Sequence, residues 1–273
     1  MTITRKFHAR GEIVHLLVWC VLLTGISYGQ VQDSQLGKLA YGDDKAKVSS
    51  AIAKVKSGQF LGTDVEVIVE ARAVEAVPIL EEEFARSQYS FTKAKIASAL
   101  IRLGDQDNRY WDYLVELATP AVESDAPNFM NFDLQGKSLP GPSPAFVAWA
   151  RTHNLDPGLA GEDSVYVLPG KVGFLGLTGD PRAIPLLRRA LFSPNYMIEA
   201  VAAMGLAKVK DDESIPFIIE ACARGPAEAA TSIAESLVYF DEPRAQRAVD
   251  KYVPANTAKV DREARARGKT PFH

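Results

Sequence analysis

The stretch LTGDPRAIPLL, at residues 177–187, decides the fold. Its Asp-Pro step is typical of a turn, and its second proline fits only the first turn of a helix, because proline lacks the backbone N–H that later turns need. A similar stretch, DDESIPFII, follows at residues 211–219, where Asp211 aligns with Asp180 and Ile218 with Leu187 at a shift of 31 residues. Recurrence at a fixed period predicts a repeat architecture.

Each repeat reads as two amphipathic helices. Apolar residues recur at helical spacings in residues 184–191 and again in residues 198–206. Small residues in the second helix let it approach a neighbour closely, at some cost in helix propensity for the glycine. These small residues are Ala200, Ala203, Gly205 and Ala207. A helix pair of this size cannot bury its own apolar stripe, so stacking of repeats must stabilise it.

A looser copy of the pattern lies upstream. The stretch AVPIL at residues 76–80 matches the start of the first helix, and KIASALIRLGD at residues 95–105 matches the second helix and its exit turn. Before it, Thr63 and Glu66 form a capping-box pattern. We therefore expect an N-terminal cap and the first repeats over residues 30–118, and further repeats over residues 165–253.

The pattern Leu-x-x-x-Gly-Asp followed by Ala-Ile-Pro-x-Leu resembles the bacterial HEAT-like repeats found in phycobilin lyases and in adaptor proteins. The resemblance implies an all-α, right-handed α-solenoid, in which the second helices line the concave face. It implies that this face binds a protein or peptide partner, and we expect the polar side chains of the second helices to contact that partner. These side chains are Lys93, Tyr196, Glu199, Lys208, Glu228 and Glu235.

Two segments depart from the repeat. Residues 119–164 form a predicted insertion with four prolines before Ser143 and one helix, which should begin with Ser143 as N-cap and Pro144 at the first position. It is either a flexible joint or a functional loop. Residues 254–273 form a polar tail, which we expect to be solvated and partly ordered.

The N-terminus predicts export. Arg5, Lys6 and Arg10 precede an apolar run over residues 13–26 and a small-x-small site at residues 27–29, which is the plan of a signal peptide over residues 1–29. A helical run of this length reaches only about 21 Å, short of the roughly 30 Å hydrocarbon core. No integral membrane span is therefore expected after cleavage, and the chain would reside in the periplasm or outside the cell.

Composition and motifs argue against several functions. The formal net charge is -3, which gives no basic surplus for nucleic acid. No phosphate-binding loop, dinucleotide fingerprint or nucleophile elbow is present. After removal of residues 1–29 the histidines are His153 and His273, in no known metal-ligand spacing, and Cys222 occupies a core-packing position. We predict no catalytic residue, no metal and no cofactor.

The sequence thus predicts a non-enzymatic interaction or scaffold protein with an unidentified protein or peptide partner. An alternative, drawn from the same resemblance, is a lyase-like or chaperone-like protein that holds a small prosthetic group in its groove. A third possibility is a spacer within a larger envelope assembly.

Overall fold

The computed structural model describes residues 45–132, 138–155 and 168–272, and this part of the chain contains thirteen α-helices and one small sheet. The helices are α1 Lys45–Ser57, α2 Gly62–Glu70, α3 Val77–Arg86, α4 Ser90–Arg102, α5 Asn108–Glu123, α6 Pro144–Thr152, α7 Leu168–Leu177, α8 Ile184–Ala190, α9 Tyr196–Lys208, α10 Ile215–Arg224, α11 Ala227–Ala234, α12 Pro243–Tyr252 and α13 Ala255–Ala266. Strands β1 Met130–Phe132 and β2 Ser138–Pro142 are antiparallel.

Twelve of these helices form two layers. The first layer consists of α1, α3, α5, α8, α10 and α12, and each packs on the corresponding member of the second layer, α2, α4, α7, α9, α11 and α13. Neighbours also contact along the second layer, where α4 touches α2 and α7, and α9 touches α7 and α11. The architecture is an all-α solenoid, as the sequence predicted. The described residues between 45 and 271 form one compact unit.

The predicted repeat register is confirmed at the start of three first-layer helices. Short 3-10 turns at Val74–Ala76, Pro181–Ala183 and Asp212–Ser214 lead directly into α3, α8 and α10, and each of these helices carries proline in its first turn. The last residue of each turn is buried, as are the matching core positions Leu187 and Ile218. The sequence repeat is therefore a repeat of structure, because each turn places the same helix face toward the core.

Close contact between α7 and α9 follows from their glycines. A Cβ atom built at Gly205 would lie 2.8 Å from the Cα atom of Gly176 and 2.8 Å from Cδ1 of Leu187. Large side chains fill the first layer instead, for example Tyr110 and Leu114 of α5, which are both fully buried. Because the residues between second-layer helices are small, these helices lie closer together than those of the first layer. This difference in spacing favours curvature of the stack toward the second layer.

The insertion differs from its predicted form. Helix α5 continues through Pro120 to Glu123, past the predicted boundary, because its apolar face packs along α7 and this tertiary contact outweighs the loss of one helical hydrogen bond at proline.

The described part of the segment between α5 and α7 holds the β1–β2 hairpin and α6. Ser143 caps α6 as predicted, since its Oγ accepts a hydrogen bond from the Phe146 N–H at 3.1 Å. Because α5 and α7 form one helix pair, the insertion lies inside a repeat, and the two repeat blocks form one continuous stack.

Both ends of the stack also depart from the sequence-based expectation. The start of α2 is capped by Asp64, whose Oδ2 accepts the Leu61 N–H at 2.8 Å, instead of by the predicted Thr63 and Glu66 pair. The predicted polar tail forms α13, in which Ala258 and Asp261 are buried. The Arg265 side chain donates to the Val238 carbonyl at 2.7 Å, which ties α13 to the preceding repeat. The predicted signal peptide, residues 1–29, lies outside the described residues.

Ion pairs join successive repeats. Arg188 of α8 reaches Asp211 in the next turn at 2.6 Å and donates to Ser214 Oγ at 3.0 Å. Arg224 of α10 donates to Glu199 of α9 at 2.7 Å. In both cases the carboxylate is buried and the guanidinium is partly exposed. Since removal of either partner would leave an uncompensated charge in the interior, these pairs specify how neighbouring repeats dock.

Candidate functional site

Charged side chains from three second-layer helices gather on the open side of that layer. We name this group the inner cluster, and it consists of Glu66 and Glu70 of α2, Lys95 and Arg102 of α4, and Lys208 of α9. At its centre Arg102 donates to Glu66 at 2.8 Å, and only 10% of the Arg102 side chain is exposed. The cluster is therefore partly sheltered from water, which strengthens the interaction of its charges.

The inner cluster marks the concave side of the stack. Glu66 and Glu70 of α2 both influence the pKa of Lys208 in α9, although α4 and α7 lie between these helices in the layer. At about 8–10 Å per helix contact, a flat layer would separate the α2 and α9 axes by roughly 25–30 Å. Lys269, beyond α13, also acts on Glu70. Such couplings indicate that the second layer curves inward on the side that carries these charges.

Burial alters the protonation of both lysines. Desolvation lowers the pKa of Lys208 to about 8, and the positive charge of Arg102 adds to that effect. Desolvation also lowers the pKa of Lys95, again with a contribution from Arg102, while Glu66 opposes the shift. On the acidic side, burial and the neighbouring Glu66 raise the pKa of Glu70. Each shift has the sign expected when charged groups share a poorly hydrated surface.

The structure brings only part of the predicted partner-binding set to this face. Lys208 is a member of the inner cluster. Tyr196 and Glu199 are instead buried, with 9% and 4% of their surface exposed. Glu199 is the buried acceptor of Arg224 described above, so it does not belong to the inner cluster. The helical period places these side chains on a polar face, but Arg224 of α10, in the next repeat, donates to Glu199 there at 2.7 Å.

The remaining predicted residues are not members of the inner cluster. The Lys93 ammonium group lies 4.8 Å from the Phe84 ring centroid and 5.4 Å from that of Tyr113, so it contacts aromatic rings of the first layer rather than the concave face. Glu228 belongs to α11, but its side chain falls outside the described part of the chain. Glu235, at the end of α11, is half-buried. Burial and the nearby Asp261 raise the pKa of Glu235 to about 8.

The sequence did not identify Glu66, Glu70, Lys95 and Arg102 as site residues. A signal was available, because Lys95 and Arg102 are seven residues apart and therefore share one face of α4. That spacing alone did not show which side of the helix would face the interior of the curve. The cation–carboxylate contact between α4 and α2 joins residues 36 positions apart, and only the stacking order brings them together.

A second concavity lies between first-layer helices. Trp111 of α5 and Leu186 of α8 help to line an open groove of about 520 Å³, whose rim carries Arg182 and Arg189. The Arg182 guanidinium lies 4.4 Å from the Trp111 ring centroid and is already paired with Asp180 at 2.7 Å. Arg189 pairs with Glu123 at 2.9 Å. Because both cations have partners, this groove presents no unsatisfied charge to a ligand.

The described residues show no arrangement suited to a metal, and none of their helices is both long and apolar enough to cross a membrane. His153 stacks on Trp149 with ring centroids 4.3 Å apart. Cys222 is buried as expected, and desolvation raises the pKa of its thiol to about 12. A thiol with such a pKa is a poor nucleophile at neutral pH.

Stacked helix pairs with a polar inner face define a class of helical repeat proteins. Residues 172–238 match a family model described as HEAT repeats. The matched segment begins in α7 and extends into the 3-10 helix Glu235–Tyr239 that follows α11, so it covers the part where the sequence repeat is clearest. This match supports a HEAT-like repeat protein, and HEAT repeats generally serve as scaffolds for protein interaction. Comparison with curated proteins gives no match, and neither does comparison with solved structures.

Proposed function

We propose that this protein is an exported, non-enzymatic scaffold that binds a protein partner on the inner face of its HEAT-like solenoid. The observation that carries the proposal is the inner cluster, because half-buried charges gathered on one face of a repeat stack are suited to a binding surface. Export to the periplasm or the exterior is supported by the basic, apolar and small-residue order of residues 1–29.

The scaffold role is supported by the distribution of reactive groups. The thiol of Cys222 is buried within the core, and the ring of His153 lies against Trp149, so neither is placed beside the inner cluster. The inner face has cations and carboxylates that can make ion pairs with a partner. Such contacts mainly set partner choice and the rate of encounter.

Export is tested by the mass of the mature protein. The full gene with a C-terminal tag is expressed in the source organism, and the tagged protein is recovered from cytoplasmic and extracytoplasmic fractions. We expect the extracytoplasmic product to begin at Gln30. A tagged chain that stays in the cytoplasm and keeps residues 1–29 would contradict export and leave the interaction role to be judged separately.

Partner binding is tested by site-specific photo-crosslinking. Met204 lies one helical turn before Lys208 on α9, so a photoreactive residue at this position faces the concave side. The control position is Lys56, which is exposed on α1. We expect a protein crosslinked from position 204 and absent from position 56. Identical products from both positions would refute binding on this face, and a bound small molecule with no protein product would favour the prosthetic-group alternative.

A further inference from the structure

Two lysines on the inner face have no polar partner. Among the described residues, the structure gives the ammonium groups of Lys95 and Lys208 no hydrogen bond and no ion pair, although both side chains are half-buried. Other sheltered charges are paired, including Arg102 with Glu66 and Glu199 with Arg224. Glu66 and Glu70 act on these lysines only at longer range. A half-buried ammonium that donates no hydrogen bond is costly, so a ligand carboxylate in direct contact with it would be stabilising.

The local electrostatic environment increases this need. The Nζ atom of Lys95 lies beside the backbone of Gly62, at the N-terminus of α2, where the helix dipole is also positive. Lys208 and Lys95 both lie close enough to Arg102 for its charge to affect their protonation. The carboxylate nearest to Arg102 is Glu66, and their ion pair leaves neither lysine a hydrogen-bonded anion. An anionic ligand would therefore interact with two lysines at once.

An apolar surface lies within the same face. Phe91 of α4 and Phe174 of α7 are half-buried and meet edge to face, with ring centroids 5.4 Å apart. Lys171 lies three residues before Phe174 and therefore on the same open side of α7. The face thus combines aromatic rings with ammonium groups. This combination suits carboxylates carried on a chain that also has apolar side chains, as in a protein segment.

The carboxylates of the cluster favour a short acidic segment over a nucleic acid. Glu66 and Glu70 lie among the cations of the inner cluster, and Glu66 is paired with Arg102 at 2.8 Å. A continuous phosphate backbone would be repelled by these carboxylates, because its charge extends over its whole length. A protein segment can place its carboxylates only where the cations are. The whole chain has a formal net charge of -3, so this basic region is a local exception.

We propose that Lys95 and Lys208 bind the carboxylates of an acidic segment in a partner protein, while Phe91 and Phe174 contact apolar side chains of the same segment. This inference rests on the proposed scaffold function and deepens it by naming the chemistry of the partner. Both lysines act as direct ligands of the segment, while Arg102 pairs with Glu66.

The test measures binding of a defined peptide to the full chain as it accumulates in the cell. The probe is a fluorescent peptide of six glutamates and two phenylalanines, and the control peptide has glutamine in place of every glutamate. Fluorescence anisotropy is recorded at low and at physiological ionic strength. We expect the glutamate peptide to bind, with weaker binding at the higher salt, and the glutamine peptide to bind at least tenfold more weakly.

A double variant identifies the ligands. Lys95→Gln with Lys208→Gln should weaken binding of the glutamate peptide at least tenfold, whereas Lys56→Gln with Lys251→Gln, which removes two exposed positive charges elsewhere, should change it less than twofold. The pair Lys95→Arg with Lys208→Arg should retain most of the binding. Thermal melts establish that the glutamine variant folds, which we expect because it removes two half-buried charges.

Several results would overturn the inference. No binding of the glutamate peptide, equal loss in the two glutamine variants, or tighter binding of a single-stranded oligonucleotide would each contradict an acidic protein segment at this face. The proposed scaffold function is tested independently of the acidic-segment inference. A partner that still crosslinks from position 204 in the presence of excess glutamate peptide and in the Lys95→Gln, Lys208→Gln variant would preserve the scaffold and reject only the acidic segment.

Discussion

Replacement of Gly205 by alanine should destabilise the protein, although alanine is the better helix former. The added methyl group would lie 2.8 Å from the Cα atom of Gly176, which belongs to the backbone of α7. It would lie equally close to a methyl group of Leu187, which is fully buried in α8. Since backbone atoms cannot rotate away, α7 and α9 must move apart, and the tightest contact of the second layer is lost.

The magnitude follows from two opposing effects. Overpacking of a well-packed interior costs about 1–3 kcal/mol, and the change from glycine to alanine in a helix regains about 1 kcal/mol. Because the closest atom is backbone, we expect the upper part of that range and a net loss of about 1–2 kcal/mol in unfolding free energy. For a chain of this size the melting temperature should fall by about 2–8 °C. Urea unfolding measures the free energy, and a thermal melt measures the melting temperature, both followed by circular dichroism at the helical band.

Gly173 provides the matched control. It is also a buried helical glycine, in α7, but the nearest atom to a Cβ built there is the Cβ of Val201 at 4.0 Å, an ordinary contact distance. Gly173→Ala should therefore stabilise the protein by up to about 1 kcal/mol. If Gly205→Ala proved as stable as the unchanged protein, or if both substitutions destabilised it equally, the close approach of α7 and α9 would not be the reason for glycine at position 205.

Two further substitutions test the buried charges. Arg224→Ala should lower the unfolding free energy by roughly 2–3 kcal/mol, because it leaves Glu199 buried without a counter-ion. Adding Glu199→Gln should recover part of that loss. If urea unfolding shows no recovery in the double variant, the pairing is contradicted. The raised pKa of Glu235, about 8 against an ordinary 4.5, means that the folded state binds more protons between these values, so stability should decrease as pH rises through that window. Thermal melts of Glu235→Gln from pH 5 to 8 should show a smaller decrease than those of the unchanged protein, and equal slopes would refute the assignment.

The acidic neighbourhood of Glu235 lies at the opposite end of the second layer from α2. Asp261 of α13 is buried, its Oδ2 has no hydrogen-bond partner in the described part of the chain, and desolvation raises its pKa. Tyr239 lies near both carboxyl groups, and burial together with their charges raises the pKa of its hydroxyl to about 12. Burial therefore favours the neutral forms of these groups, and Glu235, with a pKa of about 8, is largely protonated at neutral pH.

The insertion illustrates where sequence patterns lose information. Pro120 indicates a helix end, because proline in a helix interior sacrifices a hydrogen bond. In the structure α5 continues past it, since Leu114, Ala118 and Ala121 keep the helix against α7. The pairing of α5 with α7 joins segments separated by more than forty residues of the sequence. No local pattern indicates that these two helices form one repeat, so the insertion was expected between repeat blocks rather than within a repeat.

Of the predicted partner-binding residues only Lys208 is a member of the inner cluster, for a related reason. The helical period identified polar positions correctly, but polarity does not distinguish a solvent-facing group from a buried ion pair. Glu199 is buried and accepts a hydrogen bond from Arg224 of the next helix, and the ammonium group of Lys93 lies over aromatic rings. The inner cluster instead joins α2, α4 and α9, and its members become neighbours only through the curvature of the layer.

The sequence by itself determined the all-α repeat, the start of the first helix in three repeats and the need for small residues in α9, because turn prolines, helical periodicity and glycine act over a few residues. Tertiary structure decided which helices pair across the insertion, which face is concave and which charges meet there. The physical reason is that stacking distance depends on side-chain size in both layers at once, and curvature accumulates over several repeats. A lysine in α9 can therefore approach glutamates in α2 only after all the intervening helices have packed.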